Sequence, residues 1–402
     1  MSQEKIWIER FFANKIVLAL LLLAVCGPYM LTRDIKFTKI TYEFVTTVAS
    51  LFIIGIYVRY GRFSTGVKCL ALYMGWTYSV TFFISHNVAS FYQVFLPIIA
   101  MVLWIELAFQ YKGTGLLEAA AVFRIYIYVN LLLIFIFPAG LTGESRWLLG
   151  YRNMQAWAIL PIMTVLILRS LWKYGKLDKM TWVDVIACIF TVSWIKSATS
   201  LVGLIVYLLV AGLALVCSKR NRAMPKIINL FDGWIVSFLF FFGIVIGRLQ
   251  QVFSPLIVQV LHKDITFTGR TEIWDLTLEY LKKHFLTGSG YLTRSDFHEM
   301  FPSDLFSYVH PHNFILSLLL QGGVILLVIF VIWTGISGMH LIKSRRYLSA
   351  NLLLALLLAF LVTGLTEALA VYMCPFLYPM LTLGMHSEEL AVLTGQKQEN
   401  MT

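Results

Sequence analysis

The chain has 402 residues, 59% of them hydrophobic and only 13% charged, with a formal net charge of +11. Apolar runs long enough to cross a ~30 Å hydrocarbon core recur from end to end, which excludes a soluble domain of ordinary composition. The basic balance would suit a polyanion, but the cations follow alternate loops, so they are read as a topology signal and no nucleic-acid partner is expected.

Residues 1–15 are basic, lack a small-residue cleavage pattern and precede the first apolar run, so that run is read as a retained helix. About twelve spans are predicted, near 14–31, 41–59, 67–85, 90–110, 118–138, 154–172, 179–196, 199–217, 227–247, 312–335, 347–367 and 370–386. The last two are separated only by the short connection 366–370. Barrel strands would be shorter and would alternate in polarity, so the expected fold is all-α: one polytopic membrane helical bundle over 1–402.

With the N-terminus inside, Lys173, Lys176, Lys179, Lys219, Arg220, Arg222, Lys343, Arg345 and Arg346 fall on the cytosolic side, as do Lys112 and Lys397. The short outer loops hold fewer cations: Arg33, Lys36, Lys39, Arg146, Arg152 and Lys196. This positive-inside bias puts both termini in the cytosol and 248–311, the one long loop, outside. Cys26, Cys69, Cys188, Cys217 and Cys374 lie in or beside apolar runs with no CxxC spacing and read as small packing residues. Arg124, Asp184 and Asp232 lie inside apolar runs; being few, and mostly near run ends, they are read as structural polar contacts.

The outer loop carries the chemistry-bearing residues. Its charge is nearly balanced, with Lys263, Asp264 and Asp304 among the contributors. It contains GRTEIW (269–274), GSGY (288–291) and HPHN (310–313). Ile273, Leu276 and Tyr280, and likewise Trp274, Leu278, Leu281 and Phe285, recur at helical spacing, so 270–285 is predicted to be an amphipathic helix on the membrane face or across the bundle mouth. Gly288 and Gly290 then end it.

Arg270, at the start of that helix, can bind phosphate through parallel hydrogen bonds, or can simply pair with Glu272 or Asp275; spacing alone does not choose. His310 and His312 bracket Pro311 at the next span, where an imidazole can accept a proton from a hydroxyl. Asn313 follows them. As isolated residues they would be read as interfacial polar groups. Arg152 closes the loop LTGESRWLLGYRN beside Asn153, Lys196 stands in SWIKSATS, and Arg248 opens the long loop. Each could be an interfacial anchor; together with Arg270 they place cations on one side, as a diphosphate would require. No P-loop, GxGxxG, HExxH, GxSxG or DxD pair occurs, and no metal or cofactor is expected.

At GRTEIW, GSGY, HPHN and the following LLLQGGV (318–324), the chain resembles the bacterial O-antigen ligase and polysaccharide polymerase superfamily. The resemblance implies a metal-independent membrane glycosyltransferase at the outer face of the cytoplasmic membrane. Such enzymes take a glycan from a polyprenyl diphosphate and invert the anomeric centre. It carries the loop arginine onto Arg270 and the histidine onto His312, with Glu272 as the fallback base. Arg152 is the candidate for a second cation and Lys196 the next, since SWIKSATS has Lys where many members have Ser-Arg. Arg248, His310 and Asn313 are further candidate substrate contacts. The implied surroundings are the lipid bilayer, a lipid-linked oligosaccharide, a flippase and a chain-length regulator. A repeat-unit polymerase for O-antigen, capsule or exopolysaccharide is the favoured reading. The alternatives are ligase-type transfer of a finished glycan, a lipid-linked oligosaccharide transporter, and a scaffold.

Overall fold

A computed structural model describes residues 3–111, 114–141, 143, 145–251, 269–301, 310–368 and 376–396. Lys112, Lys263, Asp264, Asp304, Cys374 and Lys397, and the first residues of the predicted span 370–386, lie outside them.

In chain order the helices are α1 (Gln3–Ala13), α2 (Lys15–Val25), α3 (Lys36–Tyr60), α4 (Thr65–Val80), α5 (Val88–Gln110), α6 (Gly115–Ala119), α7 (Phe123–Ile136), α8 (Gln155–Tyr174), α9 (Lys179–Trp194) and α10 (Ala198–Lys219). Then come α11 (Leu230–Phe240), α12 (Arg270–His284), α13 (Arg294–Met300), α14 (Phe314–Lys343), α15 (Leu348–Gly364), α16 (Leu377–Met385) and α17 (Ser387–Leu393). One small hairpin, β1 (Arg146–Trp147) paired antiparallel with β2 (Gly150–Tyr151), lies in the turn before α8.

Among the described residues, seven helical stretches are long and apolar enough to cross a membrane: Thr38–Tyr60, Thr65–Ser85, Val88–Gln110, Gly115–Ile136, Arg152–Tyr174, Ala198–Lys219 and Phe314–Lys343. Three further apolar helices, Lys15–Val25, Leu230–Ile246 and Leu348–Gly364, are shorter. The first run, expected over 14–31, stops early because Gly27 and Pro28 follow Cys26, and proline has no amide hydrogen to continue the ladder.

Burial sorts the helices. Helix α15, mostly leucine and alanine, is buried on almost every side, and α8 is nearly as enclosed, so these two form the centre. Helices α3, α10 and α11 instead expose Ile40, Phe44, Leu209 and Leu239. An outward apolar belt of that kind is a liability in water and the normal surface in lipid. The charges inside the apolar runs are paired. Arg124 Nε lies 2.7 Å from Asp184 Oδ2, Tyr128 donates to Asp184 Oδ1 at 2.7 Å, and Asn229 bonds Asp232 at the start of α11.

The feature that positions the functional end is a break in α14. Gly322 and Gly323 leave helical geometry, with Gly323 at φ +64°. Residues 285–290 dock into the gap: Val324 N donates to Phe285 O (3.0 Å), Ser289 N to Leu320 O (2.7 Å) and Gly290 N to Gln321 O (3.0 Å). Trp76 Nε1 donates to the Gly322 carbonyl at 2.8 Å. On its other side the segment meets a wider π turn, Thr81–Ser85, where Tyr291 N donates to Thr81 Oγ1 at 2.9 Å. GSGY and LLLQGGV are thus two halves of one backbone joint. Glycine is required there, because a Cβ on Gly323 would lie 2.1 Å from Leu286 O, and one on Gly290 would lie 2.6 Å from Thr81 Cα.

Gly323→Ala is therefore expected to cost about 1–3 kcal/mol or more, lowering the melting temperature of the purified protein by several degrees. Gly335→Ala, in the same helix with its nearest neighbouring atom at 3.7 Å, should leave it unchanged or raise it slightly. Equal melting curves for the two variants would contradict the joint's structural role.

Candidate active site

Helix α12 begins at Arg270, behind Gly269 at φ +80°, and buries Ile273, Trp274, Thr277 and Leu281. It packs on α14, and Trp274, fully buried, donates Nε1 to Pro311 O at 2.9 Å. That contact ties the first turn of α12 to the HPHN sequence. Asn313 caps α14 by accepting from Leu316 N (3.1 Å), and its Nδ2 donates to Leu365 O at 2.9 Å. One side chain thus fixes both the start of α14 and the chain leaving α15.

The chain leaving α15 carries Glu367, around which the site is built. Its carboxylate is buried, 3% exposed as a residue. Arg270 Nη2 donates to Oε1 at 2.6 Å, Asn153 Nδ2 to the same oxygen at 2.9 Å, and His312 Nδ1 lies 2.9 Å from Oε2. Ser197 Oγ donates to Asn153 Oδ1 at 2.9 Å, and Ser200 Oγ to the Arg152 carbonyl at 3.0 Å. Three distant stretches of sequence thereby converge on one carboxylate, with a fourth tied in through Asn153.

Burial pushes the Glu367 pKa up, but the hydrogen bond with His312 and the charges of His312 and Arg270 outweigh it and hold the carboxyl at about 2. His310 is buried with its ring 4.0 Å from that of His312. Burial, reinforced by repulsion from His312, holds its pKa well below 6.5. His310 is therefore a neutral ring, and His312, at φ +47°, is the imidazole engaged by the carboxylate.

The remaining predicted residues divide by position. Arg152 is exposed, with its guanidinium 5.6 Å from the Tyr151 ring, and Lys196 is exposed at φ +52°. Neither makes an ion pair among the described residues, and each directly precedes a residue of the Glu367 network, Asn153 or Ser197. Arg248 is committed to the protein: it donates to Thr271 O at 2.9 Å, pairs with Asp275 and lies 5.7 Å from the Trp274 ring. Glu272 is exposed and has no partner among the described residues, so the structure does not bring it into the cluster. Arg270 pairs with neither Glu272 nor Asp275 but with Glu367.

Sequence reasoning missed Glu367. The available signal was a lone carboxylate in the short connection 366–370 between apolar runs. His310, His312 and Glu367 offer ligand atoms within 4.8 Å of one another, a set that can in principle hold a divalent cation. Both carboxylate oxygens are already engaged, however, and a cation would have to displace the Arg270 guanidinium. The donor set favours an anion outside Arg270 over a metal inside it.

This is an integral helical membrane protein with a cation–imidazole–carboxylate cluster at one end of its bundle. Residues 183–331 match the family model described as O-Antigen ligase, a match that supports the O-antigen ligase and polysaccharide polymerase superfamily. The matched stretch includes Lys196, Arg270 and His312 and ends before Glu367. No curated protein matches the chain.

Two outcomes are expected. Glu367→Ala leaves the half-buried Arg270 without its anion and should destabilise by up to about 3–5 kcal/mol, read as a fall in melting temperature, with Glu367→Gln less affected. The neutral His310 contributes stability that is complete above pH 6.5, the ordinary histidine value, and is lost as pH falls toward its depressed folded-state value. The melting temperature should drop below pH 6.5, and His310→Gln should flatten that drop; an unchanged slope would remove His310 as its cause.

Proposed function

We propose that the protein is a polysaccharide polymerase of the bacterial cytoplasmic membrane. In this reading it transfers a glycan chain from a polyprenyl diphosphate to a lipid-linked repeat unit, with inversion and at the outer face. The reading carries with it about twelve spans, both termini in the cytosol, and service by a flippase and a chain-length regulator. The observation that supports it best is the convergence of Arg270, His312 and Glu367 at 2.6 and 2.9 Å at one end of the bundle.

The chemistry follows from those atoms. The acceptor hydroxyl oxygen attacks the anomeric carbon, the bond from that carbon to the diphosphate oxygen breaks, and the electron pair leaves with the diphosphate. With His312 Nδ1–H directed at Glu367, Nε2 presents the lone pair that takes the hydroxyl proton. Glu367 holds the ring and stabilises the imidazolium, as a buried carboxylate does in other carboxylate–histidine pairs. Arg270 gives one nitrogen to Glu367, and its other N–H groups have no partner among the described residues. They are available to the departing diphosphate, with Arg152 and Lys196 supplying further charge. Glu272 is a poorer candidate, since it is exposed and has no partner among the described residues.

Ligase-type transfer to another acceptor is the second reading, favoured by the description of the matched family. A transporter would need free polar groups along the bundle, whereas Arg124, Asp184 and Asp232 are internally paired.

Arg270→Ala and His312→Ala should each lower glycan transfer by on the order of 10²-fold or more, with the protein still in the membrane and long-chain glycan absent on gels. Wild-type chain lengths in either variant would remove that residue's role. In a deletion strain, accumulated single repeat units support the polymerase, and accumulated full-length lipid-linked polymer the ligase.

A further inference from the structure

A second cavity, separate from the Glu367 cluster, opens among α2, α3, α5, α8 and the Tyr291–Arg294 turn. Its volume is about 390 Å³, within the range of small-molecule sites. Along α5 it reaches from Ser90 to Met101, roughly 16 Å at 1.5 Å per residue. It begins at the end of the bundle that carries Tyr291 and Arg294 and stops among apolar side chains near mid-helix.

The lining has three notable properties. First, it presents hydrogen-bonding groups of both senses without a dominant charge: Lys39 and Glu43 face each other at 3.7 Å, and Ser90, Gln93 and Arg294 lie beside them. Second, some of those groups are unspent. The Ser90 hydroxyl and the Gln93 amide make no hydrogen bond among the described residues. Pro97 sits inside α5, four residues after Gln93, so the Gln93 carbonyl has also lost its helical donor. Third, tyrosine rings border the space, among them Tyr29, Tyr92 and Tyr291.

These properties select among ligands. A diphosphate would call for clustered cations, and here Lys39 is offset by Glu43, which leaves Arg294 as a single cation in the lining. A prenyl or acyl chain would call for bare hydrocarbon. The neighbouring cavity of about 80 Å³, reached past Met101, Ile162 and Phe376, has that character, and this one does not. Paired donors and acceptors beside aromatic faces are the chemistry that holds sugar rings, whose hydroxyls need both senses and whose C–H faces stack on aromatics. Tyr291 also lines a small cavity with His310 and Pro311, so the wall of the cleft is continuous with that of the catalytic cluster.

We infer that this cleft binds an uncharged stretch of oligosaccharide, the part of the glycan beyond the reacting sugar. The inference rests on the glycan-transfer reading and adds to it a site that holds the chain between transfers. Ser90 and Gln93 are its principal hydrogen-bonding contacts, and Tyr291 joins it to the reaction centre.

The test uses the full chain in lipid nanodiscs. The probe is a set of oligosaccharides of one to three repeats, made by partial hydrolysis of the surface polysaccharide of the strain that carries the gene. Binding is followed by saturation-transfer NMR. The wild type and Arg270→Ala should bind alike, Gln93→Ala at least threefold more weakly, and the cleft-filling Ser90→Phe at least tenfold more weakly, all with wild-type size-exclusion profiles. In cells, the two cleft variants should shift the glycan to shorter modal lengths. Absence of binding to the wild type, unchanged binding in both cleft variants, or loss of binding in Arg270→Ala would each overturn the inference. Binding needs no turnover, so a protein that binds the probe but performs no transfer would defeat the transferase reading and leave the cleft in place.

Discussion

The site depends on keeping one carboxylate ionised away from water. Removing an unpaired carboxylate from solvent costs several kcal/mol even after relaxation, so Glu367 is tolerable only with its partners in place. Those partners come from before α8, the start of α12 and the threshold of α14, with the turn before α10 tied in through Asn153. None of these stretches is near another in sequence. The electrostatic requirement of a single side chain therefore closes one end of the bundle, and loss of any partner exposes the remaining ones to the same penalty.

That closure needs a rigid frame, which the Gly322 and Gly323 break supplies. An unbroken α14 would leave its backbone amides satisfied internally and present nothing to residues 285–290. Because the break frees them, α12 is held by backbone hydrogen bonds as well as by Trp274. Arg270 lies at the far end of α12 from this joint, about 20 Å away at 1.5 Å per residue over the helix. A helix fixed at both ends, by the joint and by the Trp274–Pro311 bond, has little freedom to move its first residue away from Glu367.

The sequence made the residues of the cluster easier to see than their partners. Arg270 and His312 stood out because polar motifs are conspicuous in an apolar chain, and the 3.6-residue recurrence of Ile273, Leu281 and their neighbours marked the helix that carries one of them. What periodicity cannot express is pairing across 97 residues, the separation of Arg270 from Glu367. Glu272 looked equally suitable by composition, two residues away and acidic, but the helix turns it outward while Arg270 turns in. Arg248 Nη2 is held by Asp275 and the Thr271 carbonyl, partners that lie 27 and 23 residues away in sequence. Among the described residues, seven helical stretches are long and apolar enough to cross a membrane and three apolar helices are shorter, including α15, whose leucines are buried among other helices.

The charge balance of the closed end explains how it can be stable when empty and still attract an anion. Arg270 and Glu367 form an opposite-charge pair, and burial keeps His310 neutral. The uncompensated cations, Arg152 and Lys196, stay at the surface where water solvates them. Their backbones are nevertheless fixed, through Asn153 and Ser197, to the same carboxylate that orients His312. A diphosphate arriving there would meet cations already held in place and an arginine with unspent N–H groups, so much of the ordering that binding requires has been done by folding. Had Arg152 or Lys196 been buried with Arg270, the empty site would have had to hold several positive charges against one negative. Placing one cation inside and the others at the rim avoids that repulsion.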